Sequence, residues 1–391
     1  MTSTMGAVDL TGLTDRMTEF ITEEVLPVER EVIVDERPVT DDLRIQLQTA
    51  AKRAGVFGPL SAPEYGGLGL TASELVVVMD AAGASLLGPT AVNCSAPDDG
   101  NIDLLSHAAN PEQRERYLTP LSSGLVRSSI AMTEPAPGAG SDPSMLATTA
   151  EKTPTGWIIN GAKHFTTGAD GAAFFICFAD TANGPTMFLV DSDNPGVRVD
   201  GRMRTLDRCV TGGHCRVTFV DCVVDDSAVL GEVGTAMLHA QARLAPSRLI
   251  FCINWLGLAV RAHHMAGRHI NSRHSFGGPI ADNGLAQGLI ADSEIDIAAS
   301  RGLIRRAAEL IDEQGPAASE ARHSATVAKA FVAEAVWRIL DRSVQLHGGL
   351  GVAEDSLVAR FLVESRAFRI YEGPTEVLRW SIARRTLRSL R

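Results

Sequence analysis

Trp157-Ile158-Ile159-Asn160-Gly161-Ala162-Lys163-His164-Phe165-Thr166-Thr167-Gly168 is where the chain stops reading as helix. β-Branched and aromatic residues flank an Asn-Gly pair, which predicts a strand, a hairpin turn at Asn160-Gly161 and a second strand. Alternation along that second strand puts Phe165 and Thr167 on one face. Similar short runs follow, separated by Gly, Asn, Asp and Pro: Phe174 to Phe178, Met187 to Val190 and Val217 to Val220. The segment from about Ser128 to Glu232 is therefore expected to be a small β domain of hairpins.

Outward from it, both flanks are helical. From Leu10 to about Arg127 apolar residues recur at helical spacing, broken by the Gly- and Pro-rich Pro63 to Gly69, and Pro111 opens a helix at a position that suits proline. After Gly234 the helical patterns are long. Val327, Phe331, Ala335 and Ile339 form one row and Val332, Val336, Leu340 and Val344 the next. A helix apolar nearly all round belongs inside a bundle. The expectation is an α+β multidomain chain: a helical domain (1–128), a β domain (129–233) and a helical bundle domain (234–391).

The chain has 391 residues, with 47 acidic and 36 basic side chains and a net charge of −11. It has no basic face for nucleic acid. Its longest apolar run, Leu249 to Val260, contains Asn254 and is too short for a membrane span. The amino terminus carries only Arg16 among several acids and lacks an apolar signal segment, so a cytoplasmic location is expected. Cys94, Cys177, Cys209, Cys215, Cys222 and Cys252 form no CxxC pair, and zinc-ligand spacing is absent. The cysteines read as reduced thiols and no metal site is expected, so any redox chemistry needs an organic cofactor.

Four segments carry candidate chemistry. Thr133-Glu134-Pro135-Ala136-Pro137-Gly138-Ala139-Gly140-Ser141-Asp142 is either a strand-connecting loop or a nest of N–H groups for a pyrophosphate. Phe165 and Thr167 offer an aromatic ring and a hydroxyl to one neighbour, or simply core packing and a surface threonine. Gln345-Leu346-His347-Gly348-Gly349-Leu350-Gly351 places three glycines after a buried helix, as a cap and a close approach. In Tyr371-Glu372-Gly373-Pro374-Thr375-Glu376, turn and helix-start chemistry accounts for Pro374 to Glu376 and leaves Glu372 unexplained. A carboxylate in a tight turn beside an apolar bundle has the partial desolvation that suits a general base.

Together, in this order, these segments resemble the acyl-CoA dehydrogenase family from about residue 20 to the end, with Arg273 and Ser275-Phe276-Gly277 as a further match. The resemblance implies an N-terminal helical domain, a middle β-barrel-like domain and a C-terminal four-helix bundle, with FAD at their junction. It implies that Met132, Thr133, Phe165 and Thr167 contact the flavin and Ser141 the pyrophosphate. Arg273, Phe276, Gln345 and Gly349 would hold the adenosine diphosphate half of a neighbouring subunit's FAD, which makes a homo-oligomer, a dimer of dimers, the expected assembly. Glu372 matches the base, Arg248 the arginine supporting its loop, and Tyr371 and Gly373 its flanks. The implied reaction converts an acyl-CoA to the trans-2-enoyl-CoA and passes electrons to an electron-transfer flavoprotein. In the family the thioester oxygen is held by the base's own N–H and a ribityl hydroxyl.

Some positions depart from the pattern. Ala136-Pro137 adds two residues before Gly138, Phe165 stands where Trp is more usual, and Pro374 replaces a hydroxyl residue. Ser247 occupies the position where some members carry the base. Asn93 to Asp98, Arg243 to Arg248 and Ile290 to Ser293 are most similar to the branch that in animals is fused to a phosphotransferase-like domain, where the base is often Asp. The alternatives on this scaffold are an acyl-CoA oxidase using O₂ and a non-catalytic acyl-CoA-binding partner subunit.

Overall fold

The computed structural model describes residues 9–391. The first third is helical: α1 (Leu10–Phe20), continued through a π-helical turn into α2 (Leu26–Val34), then α3 (Asp41–Ala54), α4 (Ala72–Gly83), α5 (Gly88–Ala91), α6 (Asp98–Ala108), α7 (Pro111–Gln113) and α8 (Thr119–Ser122). Side chains set the starts of these helices. Thr71 and Glu74 form a reciprocal capping box on α4, and Asn110 and Gln113 form another at Pro111.

Eight strands follow: β1 (Ser128–Ala131), β2 (Thr149–Thr153), β3 (Gly156–Thr167), β4 (Phe174–Ala179), β5 (Thr186–Asp191), β6 (Val197–Arg202), β7 (His214–Val224) and β8 (Val229–Leu230). They form two four-stranded sheets, ordered β1-β4-β5-β8 and β2-β3-β7-β6. Phe175, Cys177 and Phe188 from one meet Trp157, Ile159, Val217 and Phe219 from the other in a shared core. The domain is more than a run of hairpins, because β1 pairs with β4 in parallel.

Asn160-Gly161 is not the hairpin turn. β3 runs straight through it, and the β2–β3 turn falls at Pro154-Thr155, between the paired Thr153 and Gly156. The Asn-Gly pair instead makes an irregularity in the β3–β7 ladder. The Asn160 side chain accepts from Asp221 N at 2.8 Å, and a Cβ on Gly161 would lie 2.4 Å from Thr148 Oγ1. The residue types that favour a tight turn are used here for a bulge and a close approach.

The last third is built on three long helices, α9 (Ala236–Ser272), α10 (Gly284–Gln314) and α11 (Ser319–His347), followed by α12 (Leu357–Ser365) and α13 (Thr375–Ser389). Val332, Val336, Ile339 and Leu340 of α11 are buried, and a single apolar core joins them to α1, α4 and α9. Polar contacts lock the layers. Glu29 on α2 accepts from Arg261 of α9 and from Ser85 Oγ, while Asp312 of α10 caps α4 at Ala72 and Ser73 N–H. Arg127, beside β1, grips Asp41 of α3 with two nitrogens, each at 2.7 Å. None of these helices is long and apolar enough to cross a membrane. All six cysteines are free and buried.

Candidate active site

The turn between the single 3-10 turn Arg366–Arg369 and α13 carries Glu372. Glu372 and Gly373 both adopt left-handed backbone, at φ +53° and +97°. For a glutamate this costs ~1–2 kcal/mol. Two cations of the bundle hold the turn against that strain: Arg248 Nε donates to Glu372 O at 3.0 Å and Lys329 Nζ to Gly373 O at 2.7 Å. Hydrogen bonds from charged donors contribute ~1.5–3 kcal/mol each, so the pair outweighs the strain. Tyr371 fixes the other side. Its ring lies 4.8 Å from Phe251 and 5.8 Å from Phe368 between centroids, and its hydroxyl accepts from Trp255 Nε1. A Cβ on Gly373 would meet Leu378 Cδ2 at 2.8 Å, so glycine is required there twice over.

With its backbone pinned, Glu372 projects towards α6 and α9. Oε1 stands 3.3 Å from Arg243 Nη1, and Oε2 is buried without a hydrogen-bond partner. The Arg243 guanidinium lies flat on the first turn of α6, where a Cβ on Gly100 would be 2.4 Å from Nη2. Beside it is Asp99, fully buried, with Oδ1 accepting from Gly100 N and Oδ2 unpartnered. Burial pushes the Asp99 carboxyl up to about 6, against the lowering influence of Arg243.

The same turn of α6 ties the Glu372 turn to the β domain. Asp98 accepts from Ser128 N and Oγ at 2.8 and 2.6 Å, and Asn101 Nδ2 donates to Ser128 Oγ. At the exit of β1, Thr133 O accepts from His164 N at 2.8 Å, which sets Met132 and Thr133 beside β3. Phe165 is no core residue. It has left-handed backbone at φ +52°, is 53% exposed, and sits in a break of the β3–β7 register. Thr166 is buried, so Phe165 and Thr167 share the outward side as expected, by way of a bulge that clean alternation does not include. Thr167 Oγ1 is 3.0 Å from His214 Nδ1, and His214 Nε2 is 2.7 Å from Asp207 Oδ2, a relay that fixes the hydroxyl.

The loop from Thr133 is organised by its own anion. Glu134 accepts from Ala139, Ala147 and Thr148 N–H and pairs with the fully buried Lys163 at 2.8 Å. Those three N–H groups are thus engaged and cannot form a nest for a ligand. Ser141, beyond them, is exposed.

Arg273, Phe276, Gln345 and Gly349 lie elsewhere. All four are exposed at the far end of α9 and α11, and Phe276 is 103% exposed. At 1.5 Å per residue, Arg273 is ~38 Å from Arg248 along α9. The structure brings Glu372, Tyr371, Gly373 and Arg248 together, sets Met132, Thr133, Phe165 and Thr167 across α6 from them, and leaves the third group apart. Next to Arg248, which holds the Glu372 turn, Gln241, Leu244, Arg248, Arg322, His323 and Arg385 line a cavity of 310 Å³. Arg322 Nε is buried there without a partner, and burial together with Arg385 lowers the His323 pKa.

Sequence reasoning gave Lys329, Trp255, Arg243, Asp99, His214 and Asp207 no role in the site, Arg243 counting only as a branch match. Lys329 had a visible signal, a lone cation in the apolar run after Val327; burial pushes it down to about 8. The others are joined by tertiary contacts with no spacing signature.

Three family models match in chain order. Residues 9–125 match the acyl-CoA dehydrogenase N-terminal domain, 129–222 its middle domain and 237–387 its C-terminal domain. The chain belongs to the acyl-CoA dehydrogenase family. It is 34% identical over 391 residues to the probable acyl-CoA dehydrogenase FadE2 of Mycobacterium tuberculosis, covering 95% of this chain and 94% of that protein. It is 31% identical over 395 residues to acyl-CoA dehydrogenase family member 10 of Mus musculus, covering 96% of this chain and 37% of the longer mouse protein. A solved acyl-CoA dehydrogenase from Bacillus anthracis, complexed with FAD, has a TM-score of 0.86 at 26% identity and covers 100% of this chain and 69% of that one. Acyl-CoA dehydrogenases are FAD-dependent oxidoreductases, and this chain has their three-part fold.

Proposed function

We propose that the protein dehydrogenates an acyl-CoA thioester between its α- and β-carbons to the trans-2-enoyl-CoA, with Glu372 as the base, and hands the electrons to an electron-transfer flavoprotein in the cytosol. The observation that carries this is the Glu372 carboxylate, buried on a turn held by two cations, with Oε2 free of any hydrogen bond. Such an oxygen can take a proton without first giving up a donor. The Glu372 N–H would hold the thioester oxygen as enolate charge develops, and one such donor is worth about 10²–10³-fold in rate. Bound FAD would accept the hydride.

The exposed Phe165 ring, the fixed Thr167 hydroxyl and Met132 and Thr133 suit a flavin face. The ~38 Å along α9 exceeds the length of one FAD, so Arg273, Phe276, Gln345 and Gly349 fit the dinucleotide of a second subunit better than that of their own. This supports a homodimer at least, and a dimer of dimers as the working assembly. Ser141 is reserved for the pyrophosphate through its exposed place after the Glu134-anchored loop.

The cationic cavity beside Arg248 fits the phosphates of coenzyme A. Arg322→Gln should raise KM for acyl-CoA by about 10- to 100-fold while kcat holds, since a charged hydrogen bond of ~1.5–3 kcal/mol is lost far from the reacting carbons. An unchanged KM would move the coenzyme elsewhere.

Anaerobic addition of a panel of acyl-CoAs to the FAD-loaded protein tests the whole reading. At least one should bleach the flavin, with reoxidation fast by electron-transfer flavoprotein and slow by O₂. Rapid reoxidation in air would make it an oxidase, and a protein that takes up no FAD would make it a binding subunit.

A further inference from the structure

Arg248 and Lys329 are spent on the carbonyls of Glu372 and Gly373, so among the described residues Arg243 is the cation that touches the base's carboxylate. The groups facing this point are Asp98, Asp99 and Asp103 from α6, Arg243, Arg248 and Cys252 from α9, Lys329 from α11 and Tyr371 from the turn itself. Asp98 is satisfied by two hydrogen bonds from Ser128, and Asp103 is partly exposed and lies 3.6 Å from His107 on its own helix. That leaves two buried carboxylates facing one guanidinium: Glu372, 3.3 Å from it, and Asp99, next to the Gly100 on which it lies but not in ion-pair contact with it. Two carboxylates sharing a site cannot both be ionised without compensation.

We propose that Arg243 is the positioning residue of the base: set between Asp99 and Glu372, it lets both carboxylates carry charge, holds Oε1, and leaves Oε2 to accept the α-proton. The inference rests on the dehydrogenation reading above. In the step itself the α-carbon–hydrogen bond breaks and its proton forms an O–H bond at Oε2; the electron pair left on the α-carbon becomes the Cα=Cβ π bond as the β-carbon–hydrogen bond breaks, and its hydrogen leaves with that bond's pair as a hydride that bound FAD would accept. Glu372 is then neutral. Arg243 would be a buried cation without a counter-ion if Asp99 were absent, so Asp99 balances it in the product state. Gly100 belongs to the same device, because any side chain there would displace the guanidinium.

Arg243→Gln, Arg243→Lys, Asp99→Asn and the double variant Arg243→Gln/Asp99→Asn, each loaded with FAD, test this. Arg243→Gln should move the acidic limb of the kcat profile up by about one pH unit or more, a tenfold loss at fixed acidic pH, with KM little changed. Arg243→Lys should recover part of that shift. In the double variant the limb should return towards wild type, because the second carboxylate has gone. An infrared carboxylic-acid band should grow in the resting Arg243→Gln protein and fade in the double variant, and this needs no turnover. An unmoved limb in Arg243→Gln, or no return in the double variant, overturns the proposal. Should Arg243→Gln not fold, the Lys variant and Asp99→Asn decide it: the first must raise the limb and the second lower it. Failure of every acyl-CoA to bleach the wild-type flavin would instead sink the dehydrogenation reading, while the infrared comparison still decides the charge arrangement.

Discussion

Glu372→Gln is expected to keep the flavin absorption spectrum and the thermal midpoint of the wild type while turnover falls by about 10²–10⁴-fold or more. The fold should tolerate the change because the turn is held through backbone carbonyls, by Arg248 and Lys329, and through the Tyr371 ring. None of these contacts uses the carboxylate. The amide has the same shape, and its oxygen can still face Arg243. Asp99 and Arg243 then remain as a balanced pair, so no new buried charge is stranded. What is lost is an oxygen able to hold a proton. Anaerobic stopped-flow reduction by the best acyl-CoA of the panel measures it. Reduction at a rate near wild type would place the base elsewhere, and Ser247, one position before Arg248 on α9, could not replace it because its hydroxyl is no base without an activating partner and its Oγ is buried and unpartnered.

Legibility in the sequence followed the range of the interactions. Helices α9 to α11 were plain because a 3.6-residue period is local; of the two apolar rows of α11, Ala335, Ile339, Val332, Val336 and Leu340 are buried, Val327, Phe331 and Val344 only partly, and the polar Thr326, Lys329 and Ser343 are buried among them. The strands were plain for the same reason, but the Asn160-Gly161 bulge was not, since an Asn-Gly pair looks alike whether the chain turns back or runs on. Only the bonds from Asn160 to Asp221 and the closeness of Thr148 to Gly161 tell the two apart. Glu372 stood out because turn chemistry left it unexplained. Its controllers did not stand out, because Arg243 is 129 positions away and Asp99 still further, joined to it only once α6 and α9 have packed.

Lys163→Met should destabilise the β domain by about 3–5 kcal/mol, because removing one partner of a buried ion pair leaves the other charge uncompensated. Lys163 is fully buried and donates to Glu134, Met132 O and Phe178 O, so a single side chain ties β3 to the loop and to β4. Glu134 keeps three backbone N–H donors in the variant, which places the loss towards the low end of that range. Replacing both partners, as Lys163→Met/Glu134→Gln, should cost less than the two single changes added together, and urea unfolding of the four proteins gives the coupling directly. The pair also has a pH signature. Burial raises the Glu134 carboxyl, but Lys163, Thr148, Ala139 and Ala147 outweigh it and hold the group down at about 2. A carboxylate depressed in the folded state stabilises fully above its unfolded value of 4.5, and that contribution fades as pH falls from there through about 2. The wild-type midpoint should therefore fall steeply with acid in that window, and the Glu134→Gln slope should be shallower. Equal slopes would mean that the ion pair does not govern acid stability. On the proposed reading the same loop would hold the flavin through Thr133 and the pyrophosphate through Ser141, so FAD affinity should fall in Lys163→Met before the domain unfolds, which fluorescence of the released flavin would report.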